Sequence, residues 1–331
     1  MGFGRFGKIH AEAIAKLEDV EVVSICVGTK ESAVEAHKLQ PGIPIFSDYD
    51  EFLSKDAMDI VDIVSPNYLH AKQAIAAMDK GKTLILEKPI AINLDDAREM
   101  LRAQKKTSSK VQVMFEYRYA PFWKAFKTAL DDKLVTDPTF SKIESWRGPF
   151  RTGSRGWRYD AARVGHQLLE EAIHYFDLAI WYFGMPQKVS GFTDSPTAWK
   201  EGRVSTAIIT LEYASGLKAL IEDTLNGVAG QHVMTVSGQG AMIGMTYSGI
   251  ESPEEVAWYR VREKDGGYRA EMLKTLDEVT SIDLLLQDFV SRLRKGEGPS
   301  VSLLDGFNAL SVELAAISAV GTAMSECIST Q

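Results

Sequence analysis

Strand and helix signals alternate through the first third of the chain, and no other feature limits so sharply what it can fold into. Val20–Val27, Asp59–Ser65, Thr83–Leu86 and Val111–Phe115 are short, nearly continuous apolar runs rich in Val, Ile and Leu. Lys8–Leu17, Lys30–Leu39, Tyr68–Asp79 and Leu94–Lys105 fall between them with helical spacing. Strands that are apolar on both faces belong in a parallel sheet covered on both sides. The pattern predicts an α/β fold, with a doubly wound parallel sheet over residues 1–117.

The grammar then changes. Pro121–Leu130 reads as a helix, Thr139–Arg147 as a strand, and Gly148–Tyr159 as a loop rich in Gly, Arg and aromatics. Val164–Phe183 reads as one long amphipathic helix. From Gln187 to about Tyr259 several alternating strands follow, with turns at Ala214-Ser215-Gly216, Gly227–Gly230 and Ser237-Gly238-Gln239-Gly240. Ile282–Lys295 and Leu303–Ser325 are the closing helices. Residues 118–331 are therefore expected to form an α+β domain whose open, mainly antiparallel sheet has one face on helices and one face free.

Composition narrows the partners. The chain has 331 residues, 45% of them hydrophobic, and a formal net charge of -8. With no long basic run, neither nucleic acid nor an anionic membrane is expected as a partner. Cys26 and Cys327 have no metal-ligand spacing, and Cys26 sits in an apolar strand. A reduced core thiol fits a cytoplasmic location. No signal peptide and no run of about eighteen apolar residues stands out.

Gly2-Phe3-Gly4-Arg5-Phe6-Gly7 opens a helix at the head of the alternating domain. The first two glycines allow a tight turn and the close approach of a pyrophosphate. The third allows helix–strand packing, and the helix amino end attracts phosphate. The fingerprint ordinarily follows a strand, yet only Met1 precedes it. The central first strand is therefore expected to be missing ahead of Met1 or replaced by another segment. After the Val20 strand an acidic residue normally meets the adenosine ribose. Here Val27-Gly28-Thr29-Lys30 offers none, and Arg5, Thr29 and Lys30 suit a 2′-phosphate instead. NADP(H) is favoured, with NAD(H) open.

Two further elements carry chemistry. Glu87-Lys88-Pro89 ends a buried strand, and a desolvated lysine there suits a proton relay or a polarised hydroxyl. Ser65-Pro66-Asn67-Tyr68-Leu69-His70 ends the preceding strand, where ligands of open α/β sheets lie. On the predicted long helix His166, Glu170, His174 and Asp177 recur at i, i+4, i+8 and i+11, on one face. Glu171 points off that face. The spacing fits no standard zinc motif, so no metal is expected and acid–base work is preferred to a merely polar helix face.

With these residues in hand the chain resembles the Gfo/Idh/MocA oxidoreductases, the glucose-fructose oxidoreductase and inositol dehydrogenase group. The resemblance rests on Gly2-x-Gly4-x-x-Gly7, Ser65-Pro66-Asn67-x-x-His70, Glu87-Lys88-Pro89, Tyr117-Arg118 and Glu170-x-x-x-His174-x-x-Asp177. It implies a Rossmann domain binding the cofactor through Gly2, Gly4, Arg5, Phe6, Gly7, Thr29, Lys30, Ser65, Asn67, His70 and Glu87. It implies nicotinamide-dependent oxidation or reduction of a sugar, polyol or cyclic diol, with Lys88, His174 and Glu170 catalytic. A cis Lys88–Pro89 bond is expected. Arg118, Trp157, Arg158, Tyr159, His166 and Asp177 are expected around the substrate. The resemblance also implies a homodimer or homotetramer formed through the second domain's sheet. Three departures from the family pattern stand out: Glu170 replaces a shorter Asp, and His166 and Ala172 replace glycines. A non-catalytic sensing protein on the same fold is the alternative.

Overall fold

The computed structural model describes residues 1–55, 58–227, 230–239, 241–248, 256–262, 265–274 and 278–322. Gly240, Cys327 and the predicted helix end at Ser325 lie outside the described residues. Two compact units form. The first comprises 1–116, 162–165 and 278–310, and the second 117–161, 166–277 and 311–331.

The first unit contains α1 (Arg5–Ile14), β1 (Ile25–Cys26), α2 (Lys30–Leu39), β2 (Ile45–Phe46), α3 (Tyr49–Ser54), β3 (Ile60–Ile63), α4 (His70–Asp79), β4 (Thr83–Leu86), α5 (Leu94–Thr107) and β5 (Val111–Val113). All strand pairs here are parallel: β1 with β2, and β4 between β3 and β5. Met1 and Gly2 lie where the first strand was expected. The Met1 carbonyl accepts from the Val64 N–H at 2.7 Å, and the Gly2 N–H donates to the Cys26 carbonyl at 2.9 Å. Regular pairing limits β1 to two residues of the apolar Val20–Val27 run. Side-chain caps start the helices that follow: Thr29 accepts from Ser32 N–H, Asp48 from Glu51 N–H and Asn93 from Asp96 N–H. One change of unit falls between Glu116 and Tyr117, and Glu278–Leu310 returns to the first unit. Its helix packs on α1, where Lys16 reaches Asp283 at 2.6 Å.

The second unit opens with α6 (Pro121–Asp131) and β6 (Thr136–Trp146). The predicted single helix over Val164–Phe183 is instead three pieces: α7 (Ala161–Val164), of which residues 162–164 belong to the first unit, then α8 (Leu168–Glu171) and α9 (Ile173–Phe183) in the second. Gly165 takes φ +82°, which a helix cannot pass through. At Ala172 the Tyr175 N–H donates back to the Ala172 carbonyl, a tighter turn than an α-helix makes. Then follow β7 (Lys188–Thr193), α10 (Pro196–Lys200), β8 (Thr206–Glu212), β9 (Lys218–Thr224), β10 (Gln231–Gln239), β11 (Ala241–Ser248), β12 (Val256–Arg262) and β13 (Tyr268–Lys274). The eight-stranded sheet runs β13-β12-β11-β10-β6-β9-β8-β7, antiparallel except where β6 meets β9.

One face of that sheet is buried with Phe126, Tyr175, Phe176 and Leu178 from α6 and α9. The alternation of buried and part-exposed residues along β8 shows the period of two. On the other face Phe140, Trp146, Phe192 and Met242 are exposed. The chain ends in α11 (Glu278–Arg294) and α12 (Leu303–Thr322). Leu303–Val320 is long and apolar enough to cross a membrane by length and composition, contrary to the reading that no such run stands out. Its Leu303, Ala309, Leu310, Ala316 and Val320 are buried within the protein, as in a core helix.

Candidate active site

The residues expected to hold the cofactor lie in the first unit. Gly2 takes φ +93°, and a Cβ there would sit 2.5 Å from the Val64 carbonyl oxygen. A Cβ on Gly7 would collide with the Gly2 carbonyl, whereas one on Gly4 would meet nothing within 4 Å. The third glycine thus serves packing, and the second leaves open space at the start of α1. That helix has no side-chain cap and no acidic residue in its first turn. Its free N–H groups and open approach fit a pyrophosphate. Arg5 and Lys30 are exposed, and the Thr29 hydroxyl accepts from the Ser32 N–H at 3.1 Å as the cap of α2.

The two strand ends beside it are tightly built. Lys88, half-buried, follows β4 and precedes a cis bond to Pro89, as expected. The Glu87 carboxylate accepts from the Lys88 N–H at 3.1 Å and lies 3.1 Å from His10 Nε2. His10 Nδ1 is 3.0 and 3.1 Å from the two Asp62 oxygens. Burial disfavours charge on His10, but Asp62 and Glu87 outweigh it and raise its pKa to about 10. His70 is buried with Nδ1 2.7 Å from the Pro89 carbonyl and Nε2 2.7 Å from the Ser65 carbonyl. The Ser65 hydroxyl donates to Gln73 at 2.6 Å, and Asn67 starts a short 3₁₀ turn.

The expected acid–base histidine lies in the second unit. His174, the second residue of α9, is buried with its ring stacked on Tyr117 at 4.3 Å and 18°. The Tyr117 hydroxyl donates to Glu171 Oε1 at 2.9 Å, and the other Glu171 oxygen pairs with Arg147. Glu171 is therefore not idle, as the helical wheel implied. The wheel assumed an unbroken helix, and the structure ties Glu171 to the hydroxyl of the ring that backs His174. Asp223 lies buried near this group, and burial, then repulsion from Glu171, push its carboxyl up to about 7 against the pull of Arg147. Glu170 accepts from Arg158 Nε at 2.5 Å, and the Arg158 guanidinium lies over the Trp157 ring at 4.6 Å. The exposed Tyr159 donates its hydroxyl to the Phe150 carbonyl at 2.7 Å.

Three further predicted substrate contacts, beside Arg158 and Tyr159, find partners inside the unit. Arg118 grips Asp177 with Nε and Nη2, at 2.8 and 2.6 Å. His166 precedes α8 rather than sharing a face with His174. Its Nδ1 accepts from the Leu168 N–H at 3.1 Å, and its ring packs on Trp199 at 4.4 Å. Sequence reasoning missed His10, Asp62, Tyr117's stacking, Arg147 and Asp223. A histidine three residues past the last fingerprint glycine was a visible signal for the first.

Burial lowers the pKa of His166 to about 4, so the folded protein holds it neutral. The unfolded chain takes the proton first, near pH 6.5. Stability from this residue is thus present above 6.5 and is lost as pH falls from 6.5 to 4, by on the order of 3 kcal/mol. His166→Asn, whose Oδ1 can still cap α8, is expected to flatten that acid loss. All six tryptophans lie in the second unit, so denaturant unfolding followed by their fluorescence reads it. An unchanged pH slope in the variant would refute the assignment.

Residues 1–115 match "Oxidoreductase family, NAD-binding Rossmann fold", and residues 123–244 match "GFO/IDH/MocA C-terminal domain". A myo-inositol 2-dehydrogenase of Thermotoga maritima is 26% identical over 325 residues, 96% of this chain and 93% of that protein. A Bacillus subtilis scyllo-inositol 2-dehydrogenase (NADP(+)) is 25% identical over 292 residues, 86% of this chain and 84% of its own. The structure of a Lactobacillus casei scyllo-inositol dehydrogenase with bound NAD(H) and scyllo-inositol superposes with TM-score 0.78 at 21% identity, covering 96% of this chain and 94% of that one.

Proposed function

This chain belongs to the Gfo/Idh/MocA oxidoreductase family, and on that premise we propose that it moves a hydride to or from a carbinol carbon of a sugar, polyol or related cyclic diol. The observation that carries the reading is His174, buried at the head of α9 against the Tyr117 ring, in a chain that also sets Lys88 at the end of β4. When bound, the nicotinamide supplies or accepts the hydride. Gly2, Gly4, Gly7 and the start of α1 would hold its pyrophosphate, with Ser65, Asn67 and His70 at the neighbouring strand end. Lys88 Nζ donates to the reacting hydroxyl oxygen and steadies the charge that develops there. His174 takes the hydroxyl proton in oxidation and returns it in reduction. Glu170, held by Arg158, binds a neighbouring hydroxyl or orients His174, and Trp157 and Tyr159 border the substrate.

The test is absorbance at the reduced-nicotinamide band with NAD⁺ and NADP⁺ against inositols, sugars, sugar acids and aromatic dihydrodiols. At least one hydroxylated substrate is expected to reduce the cofactor. Silence across the whole panel, with cofactor bound, would favour the sensing alternative.

The cofactor proposed is NADP(H), because Gly28-Thr29-Lys30 after β1 offers no carboxylate while Lys30 and Arg5 are exposed cations. Loss of a charged partner for a phosphate costs about 1–3 kcal/mol. Lys30→Glu is expected to raise the Kd for NADPH by about 5–150-fold while barely moving that for NADH. Equal affinity of the parent for both cofactors would remove the basis for this. The exposed Phe140, Trp146, Phe192 and Met242 support a homo-oligomer formed through the free sheet face, which light scattering after gel filtration would check. Buried, unbridged Cys26 supports a cytoplasmic site of action.

A further inference from the structure

We propose that His10 is a positioning residue: a buried imidazolium that, together with His70, clamps the Glu87–Lys88–Pro89 turn from both sides. The inference rests on the reading that Lys88 acts on the substrate hydroxyl.

Both ring nitrogens of His10 face carboxylate oxygens at 3.0–3.1 Å, Asp62 on one side and Glu87 on the other. Carboxylates accept and do not donate, so each ring nitrogen must carry a proton. A neutral ring would set one lone pair against a carboxylate. The raised pKa of about 10 agrees with that geometry. Among the described residues the Met1 nitrogen also meets this cluster, donating to the Asp62 carbonyl.

Glu87 uses its second oxygen to accept the Lys88 N–H. On the far side of the lysine, His70 sets Nδ1 against the Pro89 carbonyl and Nε2 against the Ser65 carbonyl, two acceptors that only a ring carrying a proton on each nitrogen joins. The residues before and after Lys88 are thus each tied by a histidine to β3 or to the loop that follows it. A leucine of similar volume at position 10 would pack without desolvating three charged groups, and buried ion clusters add little net stability. What the cluster supplies is geometry: a lysine backbone fixed on both flanks before substrate arrives.

The test uses the full chain with His10→Asn, His10→Gln, Lys88→Met and the His10→Asn/Lys88→Met double variant. In histidine-labelled protein at pH 8, nitrogen NMR is expected to show both His10 ring nitrogens protonated. Amide hydrogen exchange across residues 84–91 is expected to quicken about tenfold or more in His10→Asn, with β8 and β9 unchanged. With myo-inositol as the polyol, single-turnover hydride transfer in His10→Asn should slow by about 10–100-fold at near-parental cofactor Kd. His10→Gln, whose amide nitrogen overlays Nε2 and keeps the Glu87 contact, should lose less.

A purely structural role would slow the parent and the Lys88→Met background alike. The clamp predicts under about twofold further loss in the latter. If His10→Asn does not fold, Glu87→Gln tests the same link at matched shape. A singly protonated ring, unchanged exchange at 84–91, or equal slowing in both backgrounds overturns the proposal. Should Lys88→Met turn over like the parent, or no hydroxylated substrate of the panel react at all, the functional reading fails instead. Ring protonation and exchange still decide the clamp.

Discussion

Lys88→Met and His174→Ala are each expected to slow hydride transfer by about 10²–10⁴-fold, the usual range for a positioned acid–base group. The rate should be read in single turnover with cofactor already bound, so that chemistry rather than release is measured. His174→Ala should leave cofactor affinity nearly unchanged, because His174 lies in the second unit and the glycine-rich helix start in the first. The double variant should lose less than the product of the single losses, since groups that act on one proton fail together. Glu171→Gln joins this set for a structural reason. It removes the charge that Arg147 pairs with and weakens the seat of Tyr117, the ring against which His174 stacks. A loss of about tenfold is expected, smaller than for the histidine because Glu171 acts through Tyr117. A His174→Ala enzyme with near-parental single-turnover rates would sink the mechanism.

The parts of the fold that sequence predicted well are those where local pattern and tertiary demand agree. Lys30–Leu39 carries its own cap in Thr29 and ends where predicted. β4 is an apolar run with Leu84, Ile85 and Leu86 buried in succession, as two-sided burial requires. The two-residue β2 and the six-residue α3 are too short for periodicity to reveal. Yet Asp48 three residues before Glu51 was a readable cap for the latter. The break at Gly165 escaped notice because the apolar period runs smoothly on either side of it. His166 lies before α8 begins, and the tighter turn at Ala172 rotates Glu171 against His174, so a single wheel drawn through all of them misplaces both. The buried charge groups were illegible in another sense. His10 meets residues 52 and 77 positions away, and no local pattern encodes such pairings.

Arg118 and Asp177 illustrate how a polar residue near a catalytic motif can belong to the core. Sequence reading set both beside the substrate, but each is the other's bidentate partner, with side chains only 8% and 2% exposed. The guanidinium also lies over the Trp181 ring at 5.6 Å. Two desolvated charges that satisfy each other have little net effect on stability, whereas one left alone is expensive. Asp177→Ala is therefore expected to destabilise the second unit by about 3–5 kcal/mol, and Arg118→Met by a similar amount. The Arg118→Met/Asp177→Leu pair, which removes both charges and keeps the volume, should recover most of that loss. Tryptophan fluorescence against denaturant measures the three variants in the unit concerned. In whatever fraction stays folded, KM for the polyol should shift by less than about threefold, because neither group is spare for a ligand. An Asp177→Ala protein with the parental unfolding midpoint and a KM raised tenfold or more would return the pair to the substrate site.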